Sequence, residues 1–272
     1  MQRRRFGSTG FEVSVIGQGT WPLPDRDALR RGIELGMAHI DTAEMYGDGR
    51  SEEIVGEAIT PYSRESLFIV SKFVPSNGTR DGLQRACERS LRRLGIDYLD
   101  CYLLHWRGNA DLAETMAGME ALLHAGKIRS LGLSNLDPWD LREAAAGLRH
   151  AGVACDQVLY NLGERTPEAH ELPWCRENDA AFLAYTPLGR PRNRAAESVL
   201  TDIAGEHGVT NEAVALAFLV RDPIAFAIPK ANALAHVEAN AAAGDLVLSE
   251  AEIERINAAY PARKRSGSLP MN

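Results

Sequence analysis

The 272-residue chain predicts an α/β fold, a closed eight-stranded parallel (β/α)8 or TIM barrel, and three observations carry that expectation. Short apolar runs alternate with longer amphipathic runs eight times along the chain, the pattern of strand–helix units. Several apolar runs end in a polar or titratable residue, and in such a barrel the groups that follow the strands converge at one end. No linker or low-complexity stretch marks a second domain, so residues 1–272 are read as one domain.

In chain order, residues 3–13 with Gly10 at the turn form an N-terminal β-hairpin placed to plug the barrel's bottom. Strands are expected at residues 14–19, 39–41, 67–72, 98–105, 130–134, 156–160, 181–185 and 224–228. Helices are expected at 25–37, 51–59, 80–94, 112–125, 138–148, 172–178, 198–207, 211–221 and 234–243. Leu83, Ala86, Cys87, Ser90, Leu91 and Leu94 recur at helical spacing. Ser51 resembles an N-cap, Pro138 an N1 residue and Gly126 a C-terminal stop. Ser249, Glu252, Ile253 and Ile256 add one extra C-terminal helix.

A hydrophobic share of 45% and a charged share of 25% fit a soluble globular chain with ample core. The net charge of -7 argues against a nucleic-acid partner, and the basic runs at 3–5 and 263–265 read as solvated ends. Cys87, Cys101, Cys155 and Cys175 lack metal-ligand spacing and read as buried hydrophobes of a reducing compartment. No apolar run approaches membrane-spanning length, so a cytoplasmic location without membrane partners is expected, and no metal.

Three interior-type strands finish at Asp41, Lys72 and His105, which would waste desolvation free energy unless those ends meet. They are expected to meet around Tyr46. There the Lys72 ammonium, held charged by Asp41, would lower the pKa of the phenol so that it can donate a proton. His105 would orient a carbonyl oxygen. Taken singly, Asp41 could be a helix cap, Tyr46 a rim aromatic and His105 a core histidine. Trp21, Phe73 and Trp106, just past strand ends, are expected with Tyr46 and His105 to wall a substrate pocket. The tail at 261–272 is small and polar, which suggests an open pocket and broad carbonyl acceptance.

Asp41-Thr42-Ala43-Glu44-Met45-Tyr46-Gly47, Ser71-Lys72 and Leu103-Leu104-His105-Trp106 resemble the aldo-keto reductases. So do Gly19-Thr20-Trp21, Gly132-Leu133-Ser134-Asn135, Gln157-Val158-Leu159-Tyr160-Asn161, Tyr185-Thr186-Pro187-Leu188-Gly189 and Ile228-Pro229-Lys230. The resemblance implies a TIM barrel, NADPH-dependent reduction of aldehydes or ketones, and a catalytic tetrad of Asp41, Tyr46, Lys72 and His105. It implies that Ser134, Asn135 and Gln157 bind the nicotinamide carboxamide, that Tyr185 stacks on the ring and that Thr186, Pro187, Leu188 and Gly189 follow the pyrophosphate. Gly19, Thr20, Trp21, Asp41, Ile228, Ala231, Asn232, His236 and Asn240 complete the implied cofactor set, with Lys230 on the adenosine 2′-phosphate.

The chain departs from the family at His236, where an arginine commonly follows the lysine by six residues, and at Ala239 before Asn240. NADPH is still expected over NADH. No GxGxxG follows a strand, so a Rossmann site is not supported. Two other readings stand beside the reductase: a non-catalytic NADPH-binding sensor, and a Schiff-base lyase using Lys72 as nucleophile. The sequence leaves the oligomeric state undetermined, and because family members are often monomers a monomer is slightly favoured.

Overall fold

The computed structural model describes residues 1–109, 111–189, 193–263, 265, 267 and 269–271. A hairpin of β1 (Arg3–Arg5) and β2 (Glu12–Ser14) comes first, followed by β3 (Gln18–Gly19) and α1 (Arg26–Glu34). Then β4 (His39–Asp41) leads to α2 (Arg50–Ile59), β5 (Phe68–Phe73) to α3 (Arg80–Leu94), and β6 (Cys101–Leu104) to α4 (Leu112–His124). Next, β7 (Leu131–Ser134) leads to α5 (Pro138–Gly147), and β8 (Cys155–Leu159) to α6 (Glu171–Glu177). The chain closes with β9 (Ala181–Tyr185), α7 (Arg194–His207), α8 (Asn211–Leu219), β10 (Ala225–Ala227), α9 (Leu234–Ala242) and α10 (Glu250–Ala259).

Eight parallel strands pair in sequence order from β3 to β10. The ring closes by backbone bonds between the chain around β3 and β10. Ala227 N–H donates to Val15 O at 3.0 Å, Gly17 N–H to Ala227 O at 2.8 Å and Gly19 N–H to Pro229 O at 3.0 Å. This is the eight-stranded barrel expected.

The hairpin turns at Gly10, whose φ of 76° suits glycine. Fully buried Phe6 packs on the rings of His39, Phe68 and Phe226 at the strands' N-terminal ends, so the hairpin does plug the bottom.

Registers fix which side chains enter the barrel, because successive residues of a strand face opposite sides. Asp41 pairs Val70 and Gly19, Lys72 pairs Leu103, and Ser134 pairs Gln157. Alternation then carries His105 beyond Leu103 and Tyr185 beyond Leu183 to the same interior side. Six polar side chains thus share the top of one interior.

Ser51 does not cap α2. The helix starts at Arg50 behind Gly49 (φ 92°), and the Ser51 hydroxyl inside it donates to Thr20 Oγ1 at 2.8 Å and lies 3.0 Å from Thr42 Oγ1. That hydroxyl chain ties α2 to the ends of β3 and β4. The α7 helix begins four residues before the expected start, because Asn193 caps it through Ala195 N–H. All four cysteines are free and buried. Among the described residues no helix is long and apolar enough to cross a membrane.

Candidate active site

Lys72, entirely buried, organises the site. Its Nζ donates to Asp41 Oδ1 at 2.5 Å, to Thr42 O at 2.9 Å and to Tyr46 Oη at 3.4 Å. Asp41 is also held by Gln157, whose Nε2 donates to Oδ2 at 2.7 Å, while Thr20 Oγ1 donates to the Asp41 carbonyl. The Tyr46 ring meets the His105 ring edge-on, with centroids 5.6 Å apart. The three strand-end groups expected to meet around Tyr46 do meet there.

The electrostatics follow from burial against pairing. Burial opposes the Lys72 charge, but Asp41 and Tyr46 outweigh it and raise its pKa, so the amine stays an ammonium. Burial raises Asp41 while Lys72 and Gln157 pull it back. Burial and the Lys72 charge lower His105 to about 3, so the imidazole is neutral, with Nδ1 buried and unpartnered among the described residues.

Tyr46 corrects the expectation of an acidified phenol. Burial raises its pKa; Lys72 pulls it down without prevailing, and Asp41 adds to the rise. The phenol therefore holds its proton at neutral pH, as a proton donor must.

Above these groups lies a cavity of about 780 Å³. Its walls include Gly19, Thr20, Trp21, Asp41, Tyr46, His105, Trp106, Ser134, Asn135, Gln157, Tyr185 to Gly189, Ile228 and Lys230, all predicted from sequence. One hydrogen-bond chain orders the amide-bearing wall. Tyr185 Oη donates to Asn135 Oδ1 at 2.8 Å, Asn135 Nδ2 donates to His105 O and Ser134 Oγ at 3.1 Å, and Ser134 Oγ donates to Gln157 O at 2.9 Å. Asn135 (φ 59°) and Thr186 (φ 48°) both sit in the left-handed region. That strain in non-glycine residues clusters at ligand sites.

These residues fit a nicotinamide dinucleotide: amides and a hydroxyl for a carboxamide, an aromatic face for a ring, and a lysine for a phosphate, all lining one cavity. A cavity of this size lies within the usual range for cofactor sites.

Other expectations need correction or lie off the cavity. Phe73 is not a pocket wall. Lys72 faces inward, so the next residue of β5 faces outward, and Phe73 is fully buried against the Tyr102 ring at 5.1 Å. Ala231, Asn232, His236 and Asn240 are not among the residues lining the cavity, whereas Lys230 is. Asn232 Oδ1 instead accepts the Asp25 N–H at 3.0 Å, and Asn240 is buried within the fold.

The tail is not merely small and polar. Leu269 is nearly buried, Met271 lines the cavity, and Arg265 donates to the buried Glu171 carboxylate at 2.6 Å. Lys264, Ser266, Ser268 and Asn272 of the expected tail lie outside the described residues. Met45, Pro229 and Met271 line the cavity without having been predicted. Adjacency to Tyr46 and Lys230 could have flagged the first two, whereas nothing local to the tail announces Met271.

A family profile described as the aldo/keto reductase family matches residues 16–261. Methylglyoxal reductase YeaE of Escherichia coli (strain K12) is 44% identical over 284 aligned residues, covering 100% of both chains. A crystal structure of an aldo/keto reductase from Klebsiella pneumoniae in complex with NADP and acetate is 41% identical, covers 100% of both chains and superposes with a TM-score of 0.91. A thermostable aldo-keto reductase in complex with the inhibitor epalrestat is 38% identical, with 95% of this chain and 100% of that chain covered and a TM-score of 0.90. With the buried Asp41–Lys72–Tyr46 array at the top of a closed barrel, these matches establish that the chain belongs to the aldo/keto reductase family and is an oxidoreductase.

Proposed function

We propose that this chain reduces aldehydes and ketones to alcohols with NADPH, and that Tyr46 supplies the proton. The bound cofactor supplies a hydride to the carbonyl carbon. The observation that carries the reading is the Lys72 ammonium set between the Asp41 carboxylate and the Tyr46 hydroxyl beneath the cavity. As the carbonyl oxygen gains charge, the Tyr46 hydroxyl hands over its proton, and Lys72 steadies the phenolate left behind. The neutral His105 imidazole, at the edge of the Tyr46 ring, directs the carbonyl oxygen toward that hydroxyl.

Ser134, Asn135 and Gln157 would hold the carboxamide, Tyr185 would pack on the ring and Thr186 to Gly189 would take the pyrophosphate, since all of them line the cavity. Lys230, a cation on the cavity wall, favours a 2′-phosphate and therefore NADPH over NADH. Methylglyoxal, named for the Escherichia coli relative, is a fitting first substrate because it is small and uncharged. Trp21, Met45 and Met271, all largely exposed around the mouth, add an apolar lip for larger carbonyls.

A Schiff-base role for Lys72 is disfavoured, because a nucleophilic amine must be neutral and this one is held charged.

The test is NADPH absorbance decay against a panel of aldehydes and ketones. Tyr46→Phe should lose nearly all reduction while binding NADPH as the parent does, measured by fluorescence titration. Reduction by Tyr46→Phe at the parent rate would remove the acid assignment. Equal kcat/KM with NADH would remove the cofactor preference. Tight NADPH binding without turnover of any carbonyl would favour the sensor reading.

A further inference from the structure

Tyr46 rides on a short turn whose own backbone bonds, Tyr46 N–H to Ala43 O at 3.1 Å and Asp48 N–H to Met45 O at 3.4 Å, do not reach the strand of Lys72. Gly47 (φ 56°), Asp48 (φ 53°) and Gly49 (φ 92°) follow it in the left-handed region, two of them glycines. Yet its hydroxyl must stay within reach of Lys72, on another strand. Glu44, on the Tyr46 turn, bonds to the chain of that strand through both its backbone and its side chain.

The Glu44 N–H donates to the Lys72 carbonyl at 3.1 Å. Its carboxylate Oε1 accepts the Val74 N–H at 2.8 Å and Asn77 Nδ2 at 2.7 Å, while Oε2 pairs with Arg89 at 3.3 Å. One residue of the Tyr46 turn therefore grips the β5 chain at Lys72 and again two residues beyond it. The Glu44 side chain is 8% exposed and Arg89 is 37% exposed, so the two Oε1 bonds are the sheltered ones. Buried, charge-assisted bonds to a backbone N–H are both strong and directional.

We infer that Glu44 is a positioning residue, clamping the Tyr46 turn to the strand end that carries Lys72 and so setting the Tyr46–Lys72 distance on which proton transfer depends. The inference rests on the reading of Tyr46 as the proton donor. Small displacements are costly in such a site: a shift of about 1 Å can lower a rate by roughly 100-fold.

The test compares Glu44→Ala, Glu44→Gln and Asn77→Ala with the parent. Readouts are kcat for carbonyl reduction, KM, NADPH affinity by fluorescence, and the pH midpoint of alcohol oxidation, which needs the Tyr46 phenolate. Glu44→Ala should lower kcat by up to about 100-fold with little change in KM or NADPH affinity. It should also move the oxidation midpoint upward, because a more distant ammonium stabilises the phenolate less.

Glu44→Gln keeps an oxygen for Val74 and Asn77 and should restore most of the loss, with Arg89 turning to water. Asn77→Ala, which removes one of the two sheltered bonds, should fall between. The clamp is overturned if Glu44→Ala keeps the parent kcat and midpoint while Tyr46→Phe is inactive. It is equally overturned if Glu44→Gln loses as much as Glu44→Ala, since the Arg89 charge pair would then be what matters. A Tyr46→Phe variant as fast as the parent is a different failure, that of the acid assignment, and is read separately.

Discussion

At the scale of the residue, two opposed influences meet on the Tyr46 hydroxyl. Burial and the Asp41 charge raise its pKa, and the Lys72 ammonium lowers it. Burial prevails, so the pKa lies above the ordinary phenol value near 10. The sign follows directly. Reduction uses the protonated phenol, which persists below that pKa, so kcat for reduction should stay level from about pH 6 to pH 9. The lowering of His105 to about 3 keeps the imidazole neutral over the same interval, so it adds no acid limb there. Alcohol oxidation uses the phenolate and should rise across that interval. A reduction rate that halves near neutrality would mean that Lys72 overcomes burial once the cofactor is seated.

At the scale of the element, α10 tests how local signals build the fold. Ser249 and Glu252 form a reciprocal capping box, with Ser249 Oγ accepting the Glu252 N–H and the Glu252 carboxylate accepting the Ser249 N–H. Ser249→Ala should cost about 1 kcal/mol in denaturant unfolding. The Ser249 hydroxyl and backbone, with His207 at 2.6 Å, lower Glu252 to about 2 from 4.5. Its stabilising share is therefore complete above about pH 4.5 and disappears as pH falls toward 2. Parent and Glu252→Gln melting curves should converge across that window.

This helix was readable because its signals are local, as were α3, β9 and Pro138 at N1 of α5. Residues whose roles depend on another strand were harder to read. Phe73 was misassigned because the side it faces depends on the phase of Lys72 within β5. Ser51 looked like a cap because its true partners, Thr20 and Thr42, come from two earlier strand ends. The tetrad itself was legible because buried strand ends carrying charge have few uses other than each other.

At the scale of the whole molecule, Asp156 is a buried carboxyl that the fold holds at a cost in stability. It follows Cys155 on β8 and faces outward, and among the described residues no cation or side-chain donor meets its buried carboxyl, which has only the Leu136 backbone N–H close by. Burial lifts its pKa well above 3.8, the Glu171 carboxylate lifts it further, and the Leu136 backbone only opposes this. Asp137 adds to the rise, and the nearby Cys175 thiol is itself raised and uncharged. Arg265 reaches this neighbourhood but is spent on Glu171.

A carboxyl with a raised folded pKa keeps its proton while the unfolded chain loses it, so stability falls as pH climbs above 3.8. Asp156→Asn has the same shape and cannot ionise in either state. The variant should therefore melt higher than the parent by a margin that widens from about pH 4 to pH 7, by differential scanning calorimetry. A margin that stays constant with pH would mean that Asp156 is ionised in the folded protein and has found a partner for its charge. If the margin widens as expected while carbonyl reduction is unchanged, the outer face of β8 bears a cost in stability that the site inside the barrel does not require.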